Sequence, residues 1–162
     1  MTDLTGDEPI RIVPIDKDNW EQAAHLQVEP EQTDFLTPNV FSIAESKFYP
    51  ELNPCAIYAG DTMVGFAMYA RDRDDDQYWV YRFMIDRRYQ RRGFGRRAML
   101  QLIDLIRALP DVPEINIAYD DDNEAARRLY RSVGFVEGGI APWGERTARY
   151  TFTPASDAQS DQ

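Results

Sequence analysis

The stretch from Tyr78 to Leu109 constrains the fold more than any other. It runs from an aromatic, β-rich segment, YWVYRFMID, through a glycine-containing turn, QRRGFG, into RRAMLQLIDLIRAL. In the last of these, Met99, Leu102, Ile103, Ile106 and Leu109 recur at helical spacing, which predicts an amphipathic helix stopped by Pro110. A strand that turns through glycines into a helix commits the chain to α/β packing. It also creates a place where backbone N–H groups and a helix N-terminus can approach an anion. Arg87, Arg88, Arg91, Arg92, Arg96 and Arg97 surround that turn, so a positive cluster sits in a chain whose formal net charge is −10.

The remaining elements follow from periodicity. Ile10 and Ile12 suggest a first strand, and a helix is expected from about Asp18 to Val28, capped by Asp16 or Asp18. Two short helices are expected in EQTDFLTPNVFSIAESKFYP, the second around residues 42–48. CAIYAGDTMVGFAMYARD reads as a hairpin turning at Ala59-Gly60-Asp61-Thr62. After the long helix come a strand in EINIAY, a helix in NEAARRLYRSVGF with Asn123 as cap and Gly134 as stop, and a last strand in RTARYTFT. The expected order is βααβββαβαβ in one domain over residues 9–153, with mobile tails at 1–8 and 154–162.

Several function classes are excluded or disfavoured. His25 is the only histidine and Cys55 the only cysteine, so an internal disulfide, a Cys/His zinc site and most His-based triads are absent, and no metal is expected. The net charge opposes general nucleic-acid binding. No apolar run approaches the roughly 20 residues that cross a bilayer, so no membrane role is expected. The start MTDLTGDEPI lacks the basic and apolar regions of a secretory signal, making the cytoplasm the expected location.

The glycine turn admits other phosphate readings. A P-loop fails because no Gly-Lys-Ser or Gly-Lys-Thr follows Gly95. A dinucleotide fingerprint fits Gly93-Phe94-Gly95-Arg96-Arg97-Ala98, with Asp120 about 20 residues on. The run from Arg87 to Arg92 separates that glycine from the strand, however, and no second mononucleotide half remains. Downstream, Ala126, Leu129, Tyr130 and Val133 share one helix face, which gives Tyr130 a defined direction, whether into a core or a site.

Gln90-Arg91-Arg92-Gly93-Phe94-Gly95 resembles the Q/R-x-x-G-x-G/A acetyl-CoA motif of the GNAT superfamily. Asn123-x-x-Ala126-x-x-Leu129-Tyr130-x-x-x-Gly134-Phe135 resembles its partner motif, and the span from Ile10 to Thr153 accommodates the superfamily's architecture. The resemblance implies an α/β (α+β) fold, with a mixed central sheet splayed at the acetyl-CoA site and flanked by helices. It also implies direct acetyl transfer to a primary amine. Phe83, Met84 and Ile85 would meet the pantetheine arm and acetyl carbonyl through their backbone. Gln90, Arg91, Arg92, Gly93, Phe94, Gly95, Arg96 and Asn123 complete the coenzyme set, and Tyr130 is the general acid toward the coenzyme sulfur.

Within the superfamily, Val64–Tyr69, Arg82–Asp86, Tyr89-Gln90 and Pro30-Glu31-Gln32-x-x-Phe35 are similar to bacterial spermine/spermidine N-acetyltransferases. This implies a small-molecule amine acceptor, a polyamine such as spermidine or spermine. Arg91-Arg92 departs from the lysine or glycine usual in that loop. Some polyamine acetyltransferases carry a glutamate where this chain has Tyr81, so the general base is unassigned. Glu31, Asp34 and Glu45 are candidates for it through water, with Gln32, Phe35 and Tyr81 as further acceptor-side residues. The acidic runs RDRDDDQ and Asp120-Asp121-Asp122 would attract a polycation or simply be solvated turns. Acceptors such as a protein N-terminus, a lysine side chain or an aminoglycoside, and a non-catalytic acetyl-CoA-binding module, fit the same motifs. A homodimer is compatible with the resemblance.

Overall fold

The computed structural model describes residues 3–152. Seven strands form one mixed sheet: β1 Ile10–Pro14, β2 Asn53–Ala59, β3 Thr62–Arg71, β4 Tyr78–Ile85, β5 Glu114–Tyr119, β6 Val136–Ile140 and β7 Arg146–Thr151. Their order across the sheet is β1-β2-β3-β4-β5-β7-β6, and every neighbouring pair is antiparallel except β4 and β5. Four α-helices flank the sheet: α1 Trp20–His25, α2 Asn39–Ser46, α3 Phe94–Arg107 and α4 Glu124–Val133. A 3-10 turn over Pro30–Phe35 lies between the first two.

The two faces of the sheet bury different sets of side chains, as alternation along a strand requires. On β4, Phe83 and Ile85 enter the larger core with Phe94, Met99, Leu102 and Ile106 of α3, while Met84 points to the opposite side. There it meets Phe66 and Met68 of β3, Ala23 of α1 and Ile43 of α2. Because β4 and β5 are parallel, the chain must cross over between them, and α3 is that crossover. Its N-terminus therefore sits next to the end of β4. No helix among the described residues is long and apolar enough to cross a membrane.

Differences from the expected elements have local causes. The first helix stops at His25, short of Val28, because the Gln27 N–H donates to the Asp86 carboxylate at 2.9 Å and its carbonyl accepts from Arg87 at 2.7 Å. Asp16 acts just outside that helix, accepting from the backbone of Asp18 and Asn19. The second short helix begins at Asn39, earlier than residue 42, directly after Pro38. Strand β6 has no counterpart among the expected elements: every residue of VEGGI is exposed, so no alternation marks it.

The N-terminal segment also departs from expectation. Residues 3–8 pack on the domain, with Leu4 buried in the larger core. The Arg97 guanidinium donates to the Gly6 and Glu8 carbonyls at 2.6 Å each, and Arg92 to the Leu4 carbonyl at 3.5 Å. Backbone carbonyls bound by arginine hold this polar stretch where its composition points to mobility. Residues 1–2 and the expected C-terminal tail at 154–162 lie outside the described residues.

Candidate active site

β4 and β5 pair only at Tyr78 with Ile115, Trp79 with Asn116 and Val80 with Ile117. Beyond these the strands part. Tyr81–Ile85 on one side and Ala118–Tyr119 on the other then line a cleft of about 880 Å³. A bulge begins the divergence: Met68 of β3 faces Arg82 and Tyr69 faces Val80, leaving Tyr81 as the extra residue on β4. Opening a cleft at the carboxyl ends of parallel strands exposes strand backbone to a ligand and brings helix N-termini to the same place.

Both helix starts reach it. The N-cap of α3 is Gly93, at φ 81°, with no side chain capping the helix, so its first N–H groups are unspent. Open space surrounds the position a Gly93 Cβ would take. Gly95 lines the cleft, and a Cβ there would stand 3.6 Å from Ile85 and 3.7 Å from Leu129. On α4, Asn123 caps the helix by accepting from the Ala126 N–H at 3.1 Å, and Asn123, Ala125 and Ala126 border the cleft. A diverging strand edge, an uncapped helix start and an adjoining arginine, Arg91, suit a long thioester arm ending in phosphates, so the residues present fit acetyl-CoA.

Tyr130 lines this space. Its ring is 7% exposed and packs between Tyr119 and Phe135, at centroid distances of 5.5 and 5.9 Å. Its hydroxyl makes no hydrogen bond to the described residues, yet it is not a sealed orphan, because Tyr130 lines the cleft. Burial, with the neighbouring Tyr119, pushes its pKa above the ordinary tyrosine value, so it stays protonated across the neutral range. Tyr119 is pushed up to about 12 by burial and by its hydrogen bond to Glu137, 2.8 Å away.

The structure gathers most of the expected residues and leaves some aside. Phe83, Met84, Ile85, Gln90, Arg91, Gly95 and Asn123 line the cleft, as do Glu31, Gln32, Phe35 and Tyr81. Asp34 and Glu45 do not line it, and neither do Arg92, Gly93, Phe94 or Arg96. Phe94 is 1% exposed within the core, so its ring cannot meet a ligand. Arg92 is turned to the N-terminal segment. Gln90 serves as a latch, its amide donating to Gln32 Oε1 at 2.8 Å and to the Ile85 carbonyl at 2.9 Å. Cys55, raised to about 12 by burial, is an inert packing thiol, and exposed His25 bonds its own helix.

Asp86 is the supporting residue that periodicity does not single out. It is 2% exposed and accepts from the Gln27 N–H and from the backbone and guanidinium of Arg88 at 2.8–3.0 Å. Burial alone would raise its pKa, but Arg88 and the two backbone donors outweigh that and hold it below the usual carboxylate range. It ties the end of β4 to the segment that leads into the Pro30–Phe35 turn.

Residues 19–135, well over half the chain, match the Acetyltransferase (GNAT) family. The chain belongs to the GNAT acetyltransferases. It is accordingly an N-acetyltransferase that takes its acetyl group from acetyl-CoA. The spermine/spermidine N(1)-acetyltransferase of Bacillus subtilis strain 168 is 29% identical over 136 residues, 80% of this chain and 90% of that relative. The N-alpha-acetyltransferase RimI of Mycobacterium tuberculosis is 30% identical over 140 residues, 85% of each. Among solved structures, an aminoglycoside acetyltransferase, AAC(6')-Ib, in complex with acetyl-CoA superposes with a TM-score of 0.76. It is 14% identical, over 94% of this chain and 99% of that one. The spermidine N-acetyltransferase of Vibrio cholerae, solved with CoA and spermine, gives 0.69 at 13% identity, over 86% and 92%. This GNAT chain thus shares its fold with proteins whose acceptors differ.

Proposed function

We propose that this enzyme acetylates a polyamine such as spermidine or spermine, by direct attack of an amine on the thioester carbonyl of acetyl-CoA within a ternary complex. The Tyr130 hydroxyl, on a ring that lines the β4–β5 cleft, carries the chemical half of the reading. As the amine nitrogen bonds to the acetyl carbon and the carbon–sulfur bond breaks, Tyr130 gives its proton to the departing thiolate, and the proton that the acylated nitrogen then sheds restores the Tyr130 phenol. The amine must first lose a proton of its own, having a pKa of about 10. Glu31 is the base candidate that borders the cleft and receives that proton through water, whereas Asp34 and Glu45 lie outside it. Backbone groups of Phe83, Met84 and Ile85 hold the pantetheine arm, and the start of α3 with Arg91 holds the phosphates.

The acceptor half is supported by the Bacillus subtilis relative, which aligns across most of both chains. The comparable identity to an N-alpha-acetyltransferase favours one second reading, a peptide α-amine. An acceptor panel with acetyl-CoA separates them. Thiol release and product mass are followed for spermidine, spermine, an aminoglycoside and a peptide with a free N-terminus. Turnover of spermidine or spermine above the rest is expected. Inert polyamines beside a reacting peptide would transfer the reading to the protein acceptor.

A further inference from the structure

A second cavity, of about 340 Å³, adjoins the reaction cleft. Val80, Tyr81, Arg82, Ala118 and Glu145 border both spaces, so the two meet at the same residues where β4 and β5 begin to part. Two indoles stand in its wall, Trp79 of β4 and Trp143 of the β6–β7 turn, with ring centroids 6.2 Å apart at 62°. Its outer side is the β3–β4 turn, which contributes Asp72, Asp74 and Asp75.

The way these carboxylates are bonded distinguishes the cavity from a solvated acidic turn. Trp79 Nε1 donates to Asp75 at 2.9 Å, Trp143 Nε1 donates to Glu145 at 2.6 Å, and the Tyr81 hydroxyl donates to Asp72. Neutral donors fix the oxygens without cancelling their charge. None of Asp72, Asp74, Asp75 and Glu145 pairs with an arginine or lysine among the described residues. Their neighbour Asp76 is neutralised by Arg71, and nearby Glu51 by Arg73. Arg82, at the junction, is held instead by Ser42 Oγ at 3.2 Å and the Tyr81 carbonyl at 2.8 Å. In the other acidic run, which the sequence offers on equal terms, the central Asp121 is ion-paired with Arg127 and Arg146.

Four carboxylates against the one guanidinium of Arg82, two indoles and a small volume match one chemistry, a short alkyl chain ending in an ammonium. We infer that this cavity holds the second, non-reacting ammonium of the acceptor, so that the enzyme selects diamines and polyamines over monoamines. The inference rests on the polyamine reading of the cleft. The reacting amine lies beside Tyr81 and Glu31, and the far amine extends past Val80 and Ala118 toward Trp143 and Asp75. Selectivity then comes from a cavity that a monoamine leaves unfilled.

The test is the double variant Asp74→Asn/Asp75→Asn, which removes two charges while the new amide oxygen at position 75 can still accept from Trp79. Melting temperature verifies the fold. KM and kcat are measured with acetyl-CoA for spermidine and for 1-aminobutane, and spermidine is titrated by calorimetry into the coenzyme A complex of both proteins. KM and Kd for spermidine should rise about tenfold, with kcat for spermidine and kcat/KM for 1-aminobutane changing less than about twofold. Equal losses for both amines, or an unchanged spermidine affinity, overturn the inference while leaving the polyamine reading standing if spermidine is acetylated. Spermidine that binds the wild type but is acetylated by neither protein overturns the polyamine reading and, with it, the assignment of the cavity to the acceptor's second ammonium. Spermidine that does not bind the wild type overturns both.

Discussion

The two walls of the cleft are built on different principles. The wall that we propose for the coenzyme comes from one continuous stretch, the end of β4 followed by α3, β5 and α4, and it offers backbone edges and helix starts. The acceptor wall that we propose is assembled from three turns far apart in the chain: the Pro30–Phe35 turn on the cleft, and the β3–β4 turn at Asp72–Asp75 and the β6–β7 turn at Trp143–Glu145 on the cavity beside it. It offers side chains. Backbone recognition requires glycines and caps at fixed spacing, whereas a pocket of side chains can be built from many residue combinations on turns that tolerate change.

Each side of the comparison can be broken by a substitution. Tyr130→Phe should have the largest effect. It removes only the hydroxyl at the meeting of the walls, and turnover should fall by roughly 10² to 10⁴ while stability changes by about 1 kcal/mol or less. Asp86→Ala tests the tie between the walls. It strands the Gln27 and Arg88 N–H groups and should cost about 3 kcal/mol, read from chemical denaturation.

The sign of the accompanying pH effect is fixed by the depressed folded pKa of Asp86. Its stabilisation is fully present above the unfolded carboxylate value, about 4, and is lost as pH falls through the lower folded value. Asp86→Asn should therefore flatten the acid limb of the stability curve below about pH 4. An unaltered limb would show that other carboxylates carry it.

Gly95→Val probes the coenzyme wall alone. Its Cβ would fit between Ile85 and Leu129, but the added methyls must enter the cleft, so affinity for coenzyme A should drop about tenfold to a hundredfold in a folded protein. The smallest effect is expected for Arg91→Ala, about threefold weaker coenzyme binding, and more at low salt. Arg92→Ala should leave that affinity unchanged, because its guanidinium serves the N-terminal segment. Equal losses from the two arginines would break the distinction.

Legibility in the sequence follows the same line. The strands and helices from Tyr78 to Val133 are readable because their apolar residues keep period 2 or 3.6 and their ends carry Asn123, Gly93 and Gly134. Strand β6 is hidden by full exposure, and the end of the first helix by a long-range bond to Asp86. Arg92 and Arg97 are indistinguishable in sequence from phosphate-binding arginines, and only their carbonyl partners in residues 4–8 separate them. Gln90 sits in the coenzyme motif, yet its amide is bonded within the protein. The Asp72–Asp75 turn and the Asp120–Asp122 turn read alike, and the difference lies in which one has arginines folded onto it.

The central claim is that the Tyr130 hydroxyl delivers the proton that lets the thiolate leave. Single-turnover thiol release from enzyme saturated with acetyl-CoA and amine isolates that step from product release. The rate should be compared between wild type and Tyr130→Phe, with coenzyme affinity and melting temperature taken on the same preparations. A chemical rate lower by roughly 10² or more, with both controls nearly unchanged, is the predicted result. An equal chemical rate in the two proteins would contradict it and return Tyr130 to a purely packing role.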